Sequence, residues 1–267
     1  MSLVHRPDCS NRLLDGLPRR VRERLILASD SVELHSAQVL CEQGDRVEKV
    51  YFPIDCFISL LTPGEGHASL EVGLVGNEGM LGVSLVLGVD ATTMRGLVQG
   101  PGRALCLDAA RFKRELECCE ALRWQMNRYV YVLMNQFAQS TACTRFHVLS
   151  ARLARWLLMT HDRAGGATFH VTHEFLSFML GVRRVGITNA AGALQRQSLI
   201  SYRRGDITVL DRAGLEAVAC HCYRNDVAIY ERMLGRAPPR VGSDSDLREQ
   251  PRADVSRSNA QLSSNVR

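Results

Sequence analysis

No glycine falls between Asp108 and Gly165. A chain that withholds its most flexible residue for that long is built there from helices. Apolar side chains recur inside the stretch at Leu122, Met126, Tyr129 and Leu133, and again at Met126, Val130, Leu133 and Phe137. The alternating spacing of three and four predicts a helix of about six turns or more. Trp124, Tyr129 and Tyr131 lie along it, and such a seam suits a helix pairing with its twin across a two-fold axis, the alternative being a helix packed only on its own roll. A second helix follows at Val148, Leu149, Leu153, Trp156 and Leu157.

The region before it, from about residue 31 to 110, has the opposite character. Short β-prone runs at 47–53, 56–61, 69–75, 97–99 and 104–107 alternate with turn signals at Gln43-Gly44-Asp45, Gly76-Asn77-Glu78-Gly79 and Gly100-Pro101-Gly102. This pattern predicts an antiparallel sandwich, roll or barrel, preceded by a short amphipathic helical entry over 11–27. With 267 residues, 46% of them hydrophobic, the chain can bury a core in each of two domains without disulfide staples. The longest apolar stretch, 80–89, is far shorter than the ~18 residues of a membrane span, and the first residues form no apolar signal core. The expected location is the cytoplasm. The nine cysteines, odd in number and scattered, fit reduced thiols.

Charge is unevenly spread. Residues 145–234 carry 12 basic and 7 acidic side chains, a net charge of +5, and no acid lies between Glu174 and Asp206. Arg183, Arg184, Arg196, Arg203 and Arg204 fill that window. One-signed surface of this kind is the footprint of a phosphate-backbone partner, the alternative on charge alone being a solvated arginine-rich face. The local signals agree. Thr172 is placed to cap a helix carrying Phe175, Leu176, Met179 and Leu180, and Gly181 stands where a left-handed stop is needed. The chain restarts at Val182-Arg183-Arg184 into a second helix that buries Ile187, Ala190, Ala191 and Leu194. Two short helices around such a turn make a helix-turn-helix. The opposite face shows Val185, Asn189, Gly192 and Arg196, flanked by Arg184 and Thr188. Arginine can read guanine, asparagine can read adenine, and valine or the threonine methyl can pack on a thymine methyl. Two β-prone runs from Leu199 to Leu210 then flank a tight turn carrying Arg203 and Arg204, a basic wing.

The run Val171-Thr172-His173-Glu174-Phe175-Leu176-Ser177-Phe178-Met179-Leu180-Gly181-Val182-Arg183-Arg184, with Leu199-Ile200, Tyr202, Gly205, Ile207 and Asp211, resembles the DNA-binding domain of Crp/Fnr-type transcription regulators. Cys41-Glu42-Gln43-Gly44-Asp45, Val50-Tyr51-Phe52-Pro53 and Gly76-Asn77-Glu78-Gly79-Met80 resemble that family's cyclic-nucleotide-binding-type β-roll, and 113–144 its dimer helix. The resemblance covers roughly residues 11–234 and implies an α+β architecture. The expected domains are a sensor roll over 1–112, a dimerisation helix over 113–145, a winged helix-turn-helix over 146–234 and a disordered tail over 235–267. It implies a homodimer, with Leu122, Met126, Tyr129, Val130, Leu133 and Phe137 at the dimer interface. It also implies an inverted-repeat operator in double-stranded DNA, with RNA polymerase as a further candidate partner. Arg184, Val185, Thr188 and Asn189 fall at its base-contacting positions, with Arg183, Arg196, Arg203 and Arg204 around them. The best-known members carry an acid where this chain has Val185, so a different half-site is expected.

Members that bind cyclic AMP hold its ribose with a Gly-Glu pair and its phosphate with an Arg followed by Ser or Thr. This chain reads Gly82-Val83-Ser84, and Arg95 is followed by Gly96. The acid and the hydroxyl are missing, so the pocket at Gly82, Val83, Ser84 and Arg95 is expected to take an unknown effector other than cyclic AMP, the alternative being a roll that only supports dimerisation. The iron–sulfur relatives use clustered N-terminal cysteines, and here that segment offers only Cys9. His5, His35 and His67 are lone histidines rather than a haem signature. Cys220-His221-Cys222 and Cys118-Cys119 lack the spacing that builds four ligands within one segment, so packing is the expected role, with no metal and no evident cofactor. His161 and His170 lie near the DNA-binding unit, within reach of phosphate. No nucleophile elbow, phosphate loop or zinc-protease motif is present, and Glu42, Glu71 and Glu78, the carboxylates nearest the expected pocket, have no base to pair with. An enzyme is not expected. The alternative is a signalling module binding a cyclic nucleotide, another small ligand or haem, whose main role is not DNA binding; the basic face argues against it.

Overall fold

The computed structural model describes residues 11–64, 69–164 and 166–235. The expected tail beyond Gly235 and the residues Cys9, His5 and His67 lie outside them. The helical entry divides into α1 (Arg12–Asp15) and α2 (Arg19–Ala28), because Gly16-Leu17-Pro18 interrupts it and Pro18 fixes the entry to the second helix. Asn11 ties this entry to the β-rich region after it. Its side chain accepts from Leu14 N at 3.2 Å and donates to the carbonyls of Pro53 at 2.8 Å and Gly79 at 3.0 Å.

Seven strands come next: β1 (Asp30–Leu34), β2 (Val39–Cys41), β3 (Lys49–Pro53), β4 (Phe57–Pro63), β5 (Ser69–Val75), β6 (Arg95–Gly100) and β7 (Gly102–Asp108). They form two antiparallel sheets, ordered β1-β7-β3 and β2-β6-β4-β5. The five expected strands lie here, joined by β1 and β2, whose burial is too slight to mark them by alternation. Leu34, Ile58, Leu60, Val75, Val98 and Ala104 fill the roll. On another face Val50, Phe52, Leu105 and Leu107 pack against helices, as period-two strands covered on both sides must.

Those helices are α3 (Ala109–Cys118) and α4 (Glu120–Phe146), so the expected single helix over 113–145 is in fact two. Asp108 caps the first by accepting from Ala110 N and Arg111 N. The chain breaks at Cys119, which adopts extended backbone. Placement of the apolar seam corrects the expected dimer face. Leu122 and Met126 are fully buried, and Tyr129 and Leu133 nearly so, within this one chain against Leu13, Phe52 and Phe112. Tyr129 also donates to the Met80 carbonyl at 3.2 Å. Val130 and Phe137 are partly exposed. The three-four pattern marks the side of α4 that faces its own roll; periodicity reports which face is buried, not against whom.

Beyond α4 come α5 (Leu149–His161), β8 (Thr168–His170), α6 (His173–Leu180), α7 (Arg184–Arg196), β9 (Ile200–Arg203), β10 (Asp206–Val209), α8 (Arg212–Val218) and α9 (Cys222–Leu234). The last helix, unread in the sequence, turns back along α4, where Arg128 donates to the carbonyls of Arg232 and Met233. Every residue of α5 from Arg152 to Thr160 is buried, because the helix lies between the roll and the winged unit.

Two carboxylates cross that seam. Glu71 and Glu78, expected near the effector pocket, instead meet Trp156 and Arg163. Trp156 Nε1 donates to Glu71 Oε1 at 2.9 Å, and the Ser59 hydroxyl lies 2.7 Å from the other oxygen. Burial pushes the Glu71 carboxyl up to about 7, against the partial relief of those hydrogen bonds. The folded chain therefore holds this proton more tightly than the unfolded chain, whose carboxyl titrates near the ordinary value of 4.5. Stability is expected to fall as pH rises through that window, by at most about 3 kcal/mol. Glu71→Gln should flatten the slope and leave the variant more stable than the parent above pH 7, as urea unfolding across pH will show. An unchanged slope would contradict the assignment.

Candidate nucleic-acid interface

The winged unit begins with a cap and a stop. Thr172 Oγ1 accepts from Phe175 N at 3.1 Å, Glu174 sits in the first turn, and Gly181 closes α6 at φ 62°, ψ 44°. Ile187, Ala190, Ala191 and Leu194 seat α7 on α5 and α6. The hairpin of β9 and β10 turns at Arg204 and Gly205, with φ of 54° and 93°. Both residues of this two-residue turn take positive φ, the form that matches strand twist. A side chain at Gly205 would strike His170 Cε1 at 2.5 Å. Strand β8 adds a third member, giving the order β8-β10-β9; the sequence revealed only the hairpin.

Each expected DNA-facing residue is exposed. Arg183, Arg184, Val185, Thr188, Asn189 and Arg196 project from α7 or its start, and Arg203 and Arg204 from the wing. Val185 is 64% exposed, a high value for an apolar residue at the start of a helix whose other face is core. Among the described residues none of these five guanidiniums joins an ion pair, and the pairs within this unit lie elsewhere: Arg212 with Asp162 and Glu216, Arg155 with Asp226, and His170 with Asp206. His170 is thereby engaged at 2.8 Å, and His161 Nδ1 lies 2.7 Å from Arg212.

Helix and wing are braced against each other. His173 stacks on Tyr202 at 4.3 Å with an interplanar angle of 8°, and its Nδ1 lies 3.1 Å from Thr188 Oγ1. Thr188 in turn donates to the Arg184 carbonyl at 3.2 Å. Burial, then the Arg184 charge, hold the His173 imidazole below its usual range. This brace was not legible in the sequence, since its three members come from α6, α7 and β9.

In the roll, Gly82 (φ 98°) precedes a short 3-10 helix, Val83–Leu87. A cavity of about 510 Å³ opens beside it, lined by Cys41, Asp45, Arg46, Glu48, Tyr51, Gly82 and Thr92 among others. Val83 and Ser84 are partly buried, and Arg95 lies 3.3 Å from Glu42, which answers its charge from within the chain. The expected pocket thus has mixed charge rather than an open anion clamp.

Cys220 and Cys222, expected to be packing residues, converge with Cys143 and His147 from the far end of α4. Cys118 is exposed and apart from this group.

The geometry matches known proteins at two levels. Residues 151–218 match the family model of the Crp-like helix-turn-helix domain. Among solved structures, FixK2 from Bradyrhizobium japonicum is similar with a TM-score of 0.62 at 9% identity, over 72% of this chain and 98% of that one. A CRP-family transcriptional regulator from Thermus thermophilus scores 0.59 at 18% identity, over 70% and 96%. The c-di-GMP-responsive global regulator CLP of Xanthomonas campestris scores 0.58 at 13% identity, over 72% and 99%. No curated protein matches the chain in sequence. An antiparallel roll, a long connecting helix and a winged unit in that order give this chain the fold of these solved structures, and its residues 151–218 match the Crp-like helix-turn-helix family model.

Proposed function

We propose that the chain is a homodimeric, sequence-specific DNA-binding transcription regulator that inserts α7 into the major groove. The observation that carries this reading is the surface of α7 and the wing turn, where five guanidiniums without an ion pair among the described residues surround exposed Val185 and Asn189, and the wing's own acid, Asp206, is paired with His170. Arg184 and Asn189 offer the bidentate edges that read guanine and adenine, while Val185 offers an apolar contact for a thymine methyl. The Thr188 hydroxyl is engaged with the Arg184 carbonyl and His173, which leaves its methyl for the groove. Arg203 and Arg204 at the wing, with Arg183 and Arg196, hold phosphates. The protein works in the cytoplasm, and among the described residues no helix is long and apolar enough to cross a membrane.

Two copies pair through the outer face of α4. Asn127, Tyr131, Met134, Ala138 and Thr141 are exposed and repeat at alternating intervals of four and three, and Met134 and Tyr131 are 63% and 49% exposed. Met134→Asp is expected to convert a dimer to a monomer with its fold retained, as light scattering and circular dichroism will show. A dimer unchanged by this substitution would remove α4 from the interface. In the dimer two recognition helices lie one helical turn apart, ~34 Å, on an inverted repeat. The effector is a small molecule other than cyclic AMP, since Val83 replaces the ribose-holding acid and Glu42 answers Arg95. It acts by favouring the dimer geometry that matches this spacing. Duplex binding measured at two salt concentrations tests the reading: affinity that falls steeply with salt supports it, and no duplex affinity under either condition overturns it.

A further inference from the structure

The thiols of Cys143, Cys220 and Cys222, all buried, and the partly exposed imidazole of His147 meet in one cluster, with all four potential ligand atoms within 4.8 Å of one another. Cys143 and His147 stand one turn apart at the end of α4, His147 being the residue at which that helix stops. Cys220 and Cys222 flank the junction between α8 and α9, and 77 positions separate Cys143 from Cys220. Cys143 Sγ lies 3.4 Å from Cys220 Sγ, and Cys222 Sγ lies 3.6 Å from His147 Nδ1. A tetrahedral zinc site with sulfur at ~2.3 Å and nitrogen at ~2.0 Å has edges of about 3.5 to 3.8 Å. The cluster therefore needs to adjust by no more than about an ångström to close on such an ion. Cys222 is fully buried, Cys143 is 3% exposed and Cys220 8%.

We propose that these four residues form a structural Cys3His zinc site that locks the C-terminal end of the winged unit to the end of α4. Three thiolates and a neutral imidazole around zinc leave one net negative charge, and the surroundings answer it. Arg152 and Arg155, both buried on α5, act electrostatically on the cluster. Arg155 binds Asp226 at 2.7 Å through one nitrogen while its Nε, buried, has no hydrogen-bond partner in the protein. A site with four protein ligands is closed, as structural zinc sites are, so its role is to hold geometry rather than to do chemistry. Its position gives that role content. Residues Cys143 and His147 lie directly before α5, on which α7 packs, and Cys222 begins α9, which runs back along α4. The ion would fix the angle between the connecting helix and the unit that carries the recognition helix.

The test is metal analysis of the full-length chain purified without chelator, with cobalt exchanged in as a spectroscopic probe. One zinc per chain is expected, together with thiolate-to-cobalt charge transfer and the intense visible bands of tetrahedral cobalt. Cys222→Ser and His147→Ala should each lose the stoichiometric metal, and Cys118→Ser, at an exposed cysteine outside the cluster, should keep it. Removal of zinc from the parent chain should lower its melting temperature by several degrees. Less than a tenth of an equivalent of metal in the parent chain, with reduced thiols that give no cobalt spectrum, overturns the inference, as does a Cys143–Cys220 disulfide in protein purified under reductant. Metal analysis of the parent needs no variant to fold. The inference stands on cluster geometry rather than on the DNA-binding reading: zinc bound without duplex affinity would support the site and sink that reading, and duplex affinity without zinc would do the reverse.

Discussion

A chain carrying Arg184→Ala and Asn189→Ala is expected to lose discrimination between its operator and unrelated duplex by a hundredfold or more, while its affinity for unrelated duplex stays within a few fold. The magnitude comes from roughly 1–3 kcal/mol for each well-formed bidentate contact to a base edge. The selectivity of the loss comes from the geometry. Both side chains project from the first half of α7, and neither contributes to the buried face made by Ile187, Ala190, Ala191 and Leu194. Removing them leaves the core intact, so the melting temperature should not move. The wing gives the contrasting result. Arg203→Ala with Arg204→Ala should weaken binding to all duplexes alike and reduce the salt slope by about two, because phosphate contacts carry no sequence information. If the helix variant lowers affinity for every sequence equally, the assignment of base reading to α7 is wrong.

The second large effect lies at the seam between roll and winged unit. Arg163 donates to Glu78 Oε1 through Nε at 2.8 Å and through Nη2 at 2.5 Å, and the two side chains are only 11% and 13% exposed. Gly76 N adds a further donor to the same oxygen at 3.2 Å. A buried pair of this kind is not a large net stabiliser, since desolvation offsets much of the attraction. Breaking it is another matter. Glu78→Ala strands the guanidinium and is expected to cost about 3–5 kcal/mol in urea unfolding. Replacing both partners together, Glu78→Leu with Arg163→Met, should recover most of that loss. A single substitution costing under about 1 kcal/mol would show that the seam is hydrated and loose.

How much of this could be read beforehand depended on how local each signal was. The cap at Thr172, the stop at Gly181 and the apolar face of α7 are set by neighbouring residues, so the helix-turn-helix was legible to within a residue or two. The exposed positions of α7 came from helical period alone. Contacts that close over long sequence separation were not legible. Glu71 and Glu78 look like pocket carboxylates in a β-rich stretch, and only the packing of α5 turns them toward Trp156 and Arg163. The seam of α4 was found with its period correct, but period alone could not choose between a twin helix and the chain's own roll; Leu122 and Met126 report burial, and the roll supplies it. The Cys143, His147, Cys220 and Cys222 cluster joins a one-turn pair to a pair spaced by one residue, each ordinary where it stands.

The central claim is that this fold presents two copies of α7 to an inverted repeat. Selection of bound duplexes from a random pool by the purified chain tests it most directly. The expected product is a palindrome whose half-sites are centred about 10 base pairs apart, enriched more strongly at higher salt as non-specific phosphate binding fades. A pool that returns no enriched sequence, with or without the cellular small-molecule fraction added back, would contradict the claim.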